Sequence, residues 1–411
     1  METFLEELDA LHAQVSQEAA LIVDGQNDLL GAFVSIESSN TVDRETGMTI
    51  INQVPSLESV TPNMFTMFPT KTNVNVAVEG FWEGIANGIG KIFELIFNLI
   101  FGVLKLFIKP FEWLFGDGDS KKDGAIAKHE EILDKTIEKV TVDAGDVIKA
   151  AFANVKVIKD VVDNTKMNEW DVKILVNPDV NMYNGINDFI IDMYEEMVST
   201  TQKFIQAYGK LKGGDAFFAT HQDLLTVPTK ASKGITATAS KFLTSQFSNL
   251  GIGGGDVSDI SKVAESYRKL EDKVRELESS EVGNEIIIKH YAGKLNKVRP
   301  FLDELKASLN FEKSDEELFD SVDDYTKAFE KLKDKINKLG GDDLEKLALS
   351  STDVKMVRDA INLQLTVIRT TNNFIRIMTM VSIKGKRSLF KGIKLTNKIV
   401  EDAFANAKKS T

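Results

Sequence analysis

At 411 residues, with 43% hydrophobic and 27% charged side chains, the chain has the make-up of a folded protein with room for two or three cores, not of a disordered one. The absence of cysteine excludes a disulfide framework, a thiolate metal site and a cysteine nucleophile. The net charge of −12 is unevenly spread: residues 1–79 hold twelve acidic side chains against Arg44 and Lys71, while residues 361–411 hold ten Lys or Arg against Glu401 and Asp402.

The first 22 residues carry Phe4, Leu8, Leu11 and Val15 at helical spacing and predict an amphipathic helix. Their acidic start lacks the basic segment of a secretory signal, which argues against Sec export. The Ser-, Thr- and Asn-rich stretch that follows has no sustained period, so residues 1–79 read as an acidic, irregular N-terminal arm.

Residues 80–116 form the most apolar stretch, with 21 large apolar side chains between Phe81 and Phe115. Leaving them in water would forfeit roughly 30 to 60 kcal/mol, so something must cover this predicted helix. Trp82, Phe93, Ile96, Phe97, Ile100, Leu104, Phe107 and Trp113 are the side chains expected to be buried or to enter a membrane. Lys91, Asn98, Lys105 and Glu112, seven apart, leave one thin polar seam on a helix otherwise apolar all round. The core of the protein, an oligomer or a bilayer are all candidate covers.

Beyond the turn-rich linker at Gly116–Gly124, residues 117–250 predict a middle helical region, with Val172–Val176 as its one strand candidate. A glycine run at 251–255 marks a hinge, and residues 256–381 predict an elongated helical bundle with coiled-coil-like seams. One seam is Ile260, Val263, Tyr267, Leu270, Val274 and Leu277; a second is Leu318, Val322, Tyr325, Phe329, Leu332, Ile336 and Leu339, opened by the capping-box pair Ser314 and Glu317. A looser third runs through Val354, Val357, Ile361, Leu365, Ile368, Ile375 and Met378. Residues 382–411 read as a basic amphipathic tail in which Lys384, Lys386, Arg387, Lys391, Lys394 and Lys398 are candidates for contact with DNA or another acidic surface. The expected fold class is therefore mainly α.

No chemistry-bearing constellation is visible. His12, His129, His221 and His290 stand apart without metal-ligand spacing, and HExxH, GxSxG and Walker A patterns are lacking. The sequence predicts a protein without catalytic residues, metal or cofactor. One short pattern does recur in the arm: a small residue, any residue, then Glu, ending at Glu18, Glu37, Glu58 and Glu79 and followed each time by a small residue. Irregular arms are where proteolysis concentrates.

With that pattern the chain resembles the internal head proteins of giant tailed bacteriophages, whose N-terminal propeptides are removed after Ser/Ala/Gly-x-Glu by the prohead maturation protease. The resemblance implies a virion structural protein packed inside the capsid after assembly in the host cytoplasm. Its implied partners are that protease, other virion or capsid proteins in an oligomeric assembly, and genomic DNA. By the same resemblance Glu79 is the final cleavage site and Glu18, Glu37 and Glu58 are further ones. Cleavage after Glu79 would remove −10 of the −12 charge. The rival expectation is a membrane-active protein, pore-forming or ejected, that inserts the 80–116 helix into a bilayer.

Overall fold

The computed structural model describes residues 124–142, 155–176, 180–250, 259–295, 297–311 and 351–410, several positions between 315 and 331, and the single positions Ala10, Ala13, Gln17, Leu347 and Leu349. The candidate cleavage positions, the 80–116 apolar stretch and the second seam beyond Tyr325 lie outside the described residues. Within them the architecture is mainly α, and the one β-type pairing is an isolated bridge between Asn168 and Glu281.

The helices, in chain order, are α1 (Ala125–Val142), α2 (Val155–Asp163), α3 (Glu169–Val176), α4 (Val180–Tyr208), α5 (Phe217–Phe247), α6 (Ile260–Ser279), α7 (Asn284–Leu295), α8 (Val298–Ala307) and α9 (Ser351–Ser410). The described positions between 315 and 331 are also helical. Helix α9 has 60 residues, about 90 Å at the standard rise per residue. Helices α1 to α6 all pack against it, so segments from both sides of the 251–255 glycine run share one core. No break occurs at 382: the expected basic tail is the second half of this central helix.

Hydrophobic spacing explains most of this packing. In the first seam, Val263, Tyr267, Leu270, Val274 and Leu277 are buried on α6, with Tyr267 stacked on Phe374 of α9 at a centroid distance of 4.2 Å. Every residue of the third pattern, from Val354 to Met378, is buried on α9. In the second, Leu318 and Val322 are buried while Tyr325 packs at the margin of the core. Asp259 caps α6 by accepting from the Ser261 amide at 2.8 Å, which fixes where the helix begins.

The strand expected at Val172–Val176 is instead part of α3. A capping box decides the matter. The Asp171 amide donates to Asn168 Oδ1 at 2.8 Å and the Asn168 amide donates to Asp171 Oδ2 at 3.2 Å, satisfying two amides at a helix start. Short apolar runs suit helix and strand alike, and the reciprocal cap selects the helix.

Two glycines of α9 allow neighbouring helices to come close. A Cβ at Gly385 would lie 2.7 Å from Tyr183 Oη of α4, and one at Gly392 would lie 2.6 Å from Leu175 Cδ1 of α3.

Candidate functional site

Helix α9 is buried on nearly every side between residues 371 and 400 although it is the most basic part of the chain. Burying unpaired ammonium or guanidinium groups is prohibitive, and four of its cations are met by carboxylates from other elements. Arg376 grips Glu271 of α6 through two bonds, Nη2 to Oε2 at 2.6 Å and Nη1 to Oε1 at 3.1 Å. Lys384 pairs with Glu278 one heptad further along α6. Lys386 donates to both oxygens of Asp315 at 2.6 and 2.7 Å, with Nζ 4.7 Å from the Phe311 ring centroid. Lys391 donates to Asp171 Oδ2 at 2.5 Å, while Ser388 Oγ donates to Oδ1 at 2.7 Å.

The order of these pairs fixes direction. Glu271 and Glu278 meet Arg376 and Lys384 in ascending order, so α6 and α9 run parallel there, seven residues on one matching eight on the other. Asp171 has a double duty: its carboxylate closes the cap of its own helix and anchors α9. Burial by itself would raise the Glu271 carboxyl, but the hydrogen bond and charge of Arg376, then those of Arg275, outweigh it and hold the group below its ordinary value.

The six sequence candidates for an acidic partner therefore divide. Lys386 is buried against Asp315, and Lys384 and Lys391 are partly covered and committed to Glu278 and Asp171, so these three face inward contacts. Arg387, Lys394 and Lys398 are exposed, at spacings of seven and four that place them along one stripe of the helix. The inward set was partly readable: Lys386 lies three residues from both Ile383 and Leu389, in the apolar register of α9. Its partner, 71 residues away, was not.

Where α1 crosses this stripe, a cavity of about 410 Å³ opens, lined by Ala125, Lys128 and His129 of α1 and by Arg387, Phe390, Lys391 and Lys394 of α9. Among the described residues that line it, four are cationic and none is acidic. Ala125 is the first residue of α1, and the leading amides of a helix have no acceptor within it. His129 is 6% exposed and stacks on Phe390, with ring centroids 4.2 Å apart and planes 15° from parallel. Its Nδ1 lies 2.5 Å from the Ala125 carbonyl oxygen. A carbonyl only accepts, so Nδ1 carries the proton. Nε2 is buried and has no hydrogen-bond partner. Burial pushes the imidazole below its ordinary value; the bond to Ala125 opposes this and the Lys394 charge reinforces it.

The other described histidines have plainer surroundings. His221 Nε2 donates to the Met356 carbonyl at 3.0 Å, tying α5 to α9, and His290 sits edge-on to Tyr291 and Phe301. Among the described residues no group of three His, Asp or Glu side chains is placed to hold a metal ion, and no helix is long and apolar enough to cross a membrane. Comparison with known proteins finds no matching family model, no similar curated protein and no similar solved structure.

Proposed function

We propose that this chain is a non-enzymatic structural component of a phage virion interior, trimmed at its acidic N-terminal arm during head maturation and packed with or near the genome. The observation that carries this reading is the arm itself. Four small-x-Glu-small sites punctuate residues 1–79, and removing that segment takes away −10 of the −12 charge. The remaining product would approach DNA phosphates without a large electrostatic penalty.

The helical body fits the role of a particle component held by packing, an elongated bundle whose spine is α9. In this reading the contacts with acidic surfaces come from the exposed stripe of Arg387, Lys394 and Lys398, and the apolar 80–116 stretch is covered by partner subunits. N-terminal sequencing of the protein from finished particles tests it: a terminus at Gly80 is expected, and an intact Met1 would refute the trimming.

A second reading is favoured by a different observation, the 21 large apolar side chains between Phe81 and Phe115. A membrane-active protein would insert that stretch into a bilayer. Dye release from liposomes by residues 80–411 separates the two, since the structural reading expects none.

A further inference from the structure

We propose that the folded body of this protein forms its own covalent cross-link, an isopeptide bond between Lys386 Nζ of α9 and the side-chain carbonyl carbon of Asn187 on α4, assisted by Asp315. Asp315 Oδ1 accepts from both partners at once, from Asn187 Nδ2 at 2.5 Å and from Lys386 Nζ at 2.6 Å, while Oδ2 accepts from Nζ at 2.7 Å. The amine and the amide therefore meet at a single oxygen atom, and the carbon to be attacked is bonded to the nitrogen held there. All three side chains are buried, as are Phe311 and Tyr183, whose ring centroids lie 4.7 and 5.9 Å from Nζ. A salt bridge needs two members; the third, an amide aimed at the same carboxylate, supplies an electrophile.

The backbone brings the pair together independently of these bonds. A Cβ at Gly385, next to Lys386, would fall 2.7 Å from Tyr183 Oη, one helical turn before Asn187. The missing side chain lets α9 settle onto α4 at the level of the reacting groups.

Amide exchange requires a neutral amine, a proton for the leaving nitrogen and the exclusion of water. A proton passes from Nζ to Asp315 along an existing hydrogen bond, and because it goes to the counter-charge itself, no unpaired ion is left in the dry interior. The Nζ lone pair then attacks Asn187 Cγ, helped by the proximity of the two groups. As the Cγ–Nζ bond forms and the Cγ–Nδ2 bond breaks, Asp315 relays protons from one nitrogen to the other. Of the three protons first on Nζ, one stays on the new amide and two leave with Nδ2 as ammonium, so Asp315 recovers its charge and no other reactant enters. Freshly folded protein holds the ion pair and matured protein the amide. The inference concerns the described body alone and stands apart from the virion reading.

Intact mass spectrometry under denaturing conditions tests it on purified full-length protein sampled over a week at physiological temperature. The expected product is about 17 Da lighter than the sequence requires, the mass of the ammonia displaced by the lysine. Trypsin should then release residues 174–203 carrying Gly385, Lys386 and Arg387 as a branch, since an acylated lysine resists cleavage. Lys386→Arg keeps the cation without the nucleophile, and Asp315→Ala removes the proton relay; both proteins should retain the full mass of their sequences. Should either variant fail to fold, the parent's mass and branched peptide decide alone. A parent that stays at its sequence mass would overturn the proposal. So would ammonia loss confined to a linear peptide, the mark of ring closure at Asn184–Gly185, or a loss of water that joins Lys386 to Asp315.

Discussion

Removing Asp315 isolates the deepest cation of α9. Lys386 and Asp315 have side chains only 3% and 1% exposed, so an Asp315→Ala protein keeps an ammonium that water reaches poorly. Two bonds from Lys386 and one from Asn187 Nδ2, at 2.5 Å, lose their acceptor. Breaking one side of such a pair costs about 3 to 5 kcal/mol. The faces of Phe311 and Tyr183, 4.7 and 5.9 Å from Nζ, stay in contact with the ammonium in parent and variant alike and so do not offset the loss. A net loss of about 3 to 5 kcal/mol is expected, read as a shift of the urea midpoint by far-ultraviolet circular dichroism. The double variant Lys386→Met with Asp315→Leu removes both charges and fills similar volume, and should recover most of that loss, since apolar replacements of buried pairs are often neutral or better. Equal destabilisation of single and double variants, or a single variant within about 0.5 kcal/mol of the parent, within the range of ordinary surface changes, would show that the pair is not a buried charge contact of the kind described.

Gly385→Ala should destabilise the protein by roughly 1 to 2 kcal/mol, because a clash with Tyr183 Oη costs ~1 to 3 kcal/mol and alanine's helix preference returns somewhat under 1 kcal/mol; a thermal melt at or above the parent would contradict the close approach of α4. Asn168→Ala removes half of the α3 capping box and should cost about 1 kcal/mol, visible as faster amide exchange confined to residues 169–176. Glu271 has its folded value depressed below 4.5; its contribution is present above that value and lost as pH falls through the lower folded value, and Arg376→Gln should flatten this part of the acid-denaturation curve. His129 and His290 are likewise depressed from 6.5, mainly by burial. The unfolded chain therefore binds more protons below that pH, and stability should decline as pH drops from 6.5 toward their folded values; a flat profile over that interval would refute the burial of both rings.

Periodicity made the apolar half of the fold readable. The α6 seam and the Val354–Met378 pattern are recoverable by spacing alone, because a helix with one buried stripe must repeat its large apolar residues near every 3.6 positions, and these do. Charge pairing was not readable in that way. Glu271 and Arg376 are 105 residues apart and Asp171 and Lys391 are 220 apart, and no local pattern links a cation to a carboxylate across such distances. A basic helix with apolar residues between its lysines looks like a surface helix until its partners are known. The α3 helix was missed for the opposite reason: the signal, Asn168 followed three residues later by Asp171, was local and outweighed by the β-branched run behind it. His129 offered no sequence signal, since what distinguishes it is its burial against Phe390 with Nε2 left unpaired.

The spine of this protein is synthesised after every helix that packs on it. Helices α1 to α6 leave the ribosome earlier and share a docking surface that arrives only with the 60 residues of α9, and Thr136 must wait for Asn397, 261 positions later, to make the hydrogen bond between them. Such distant pairings slow assembly and prolong the exposure of sticky intermediates. A premature stop ahead of Ser351 would thus leave α1 to α6 without the surface they share.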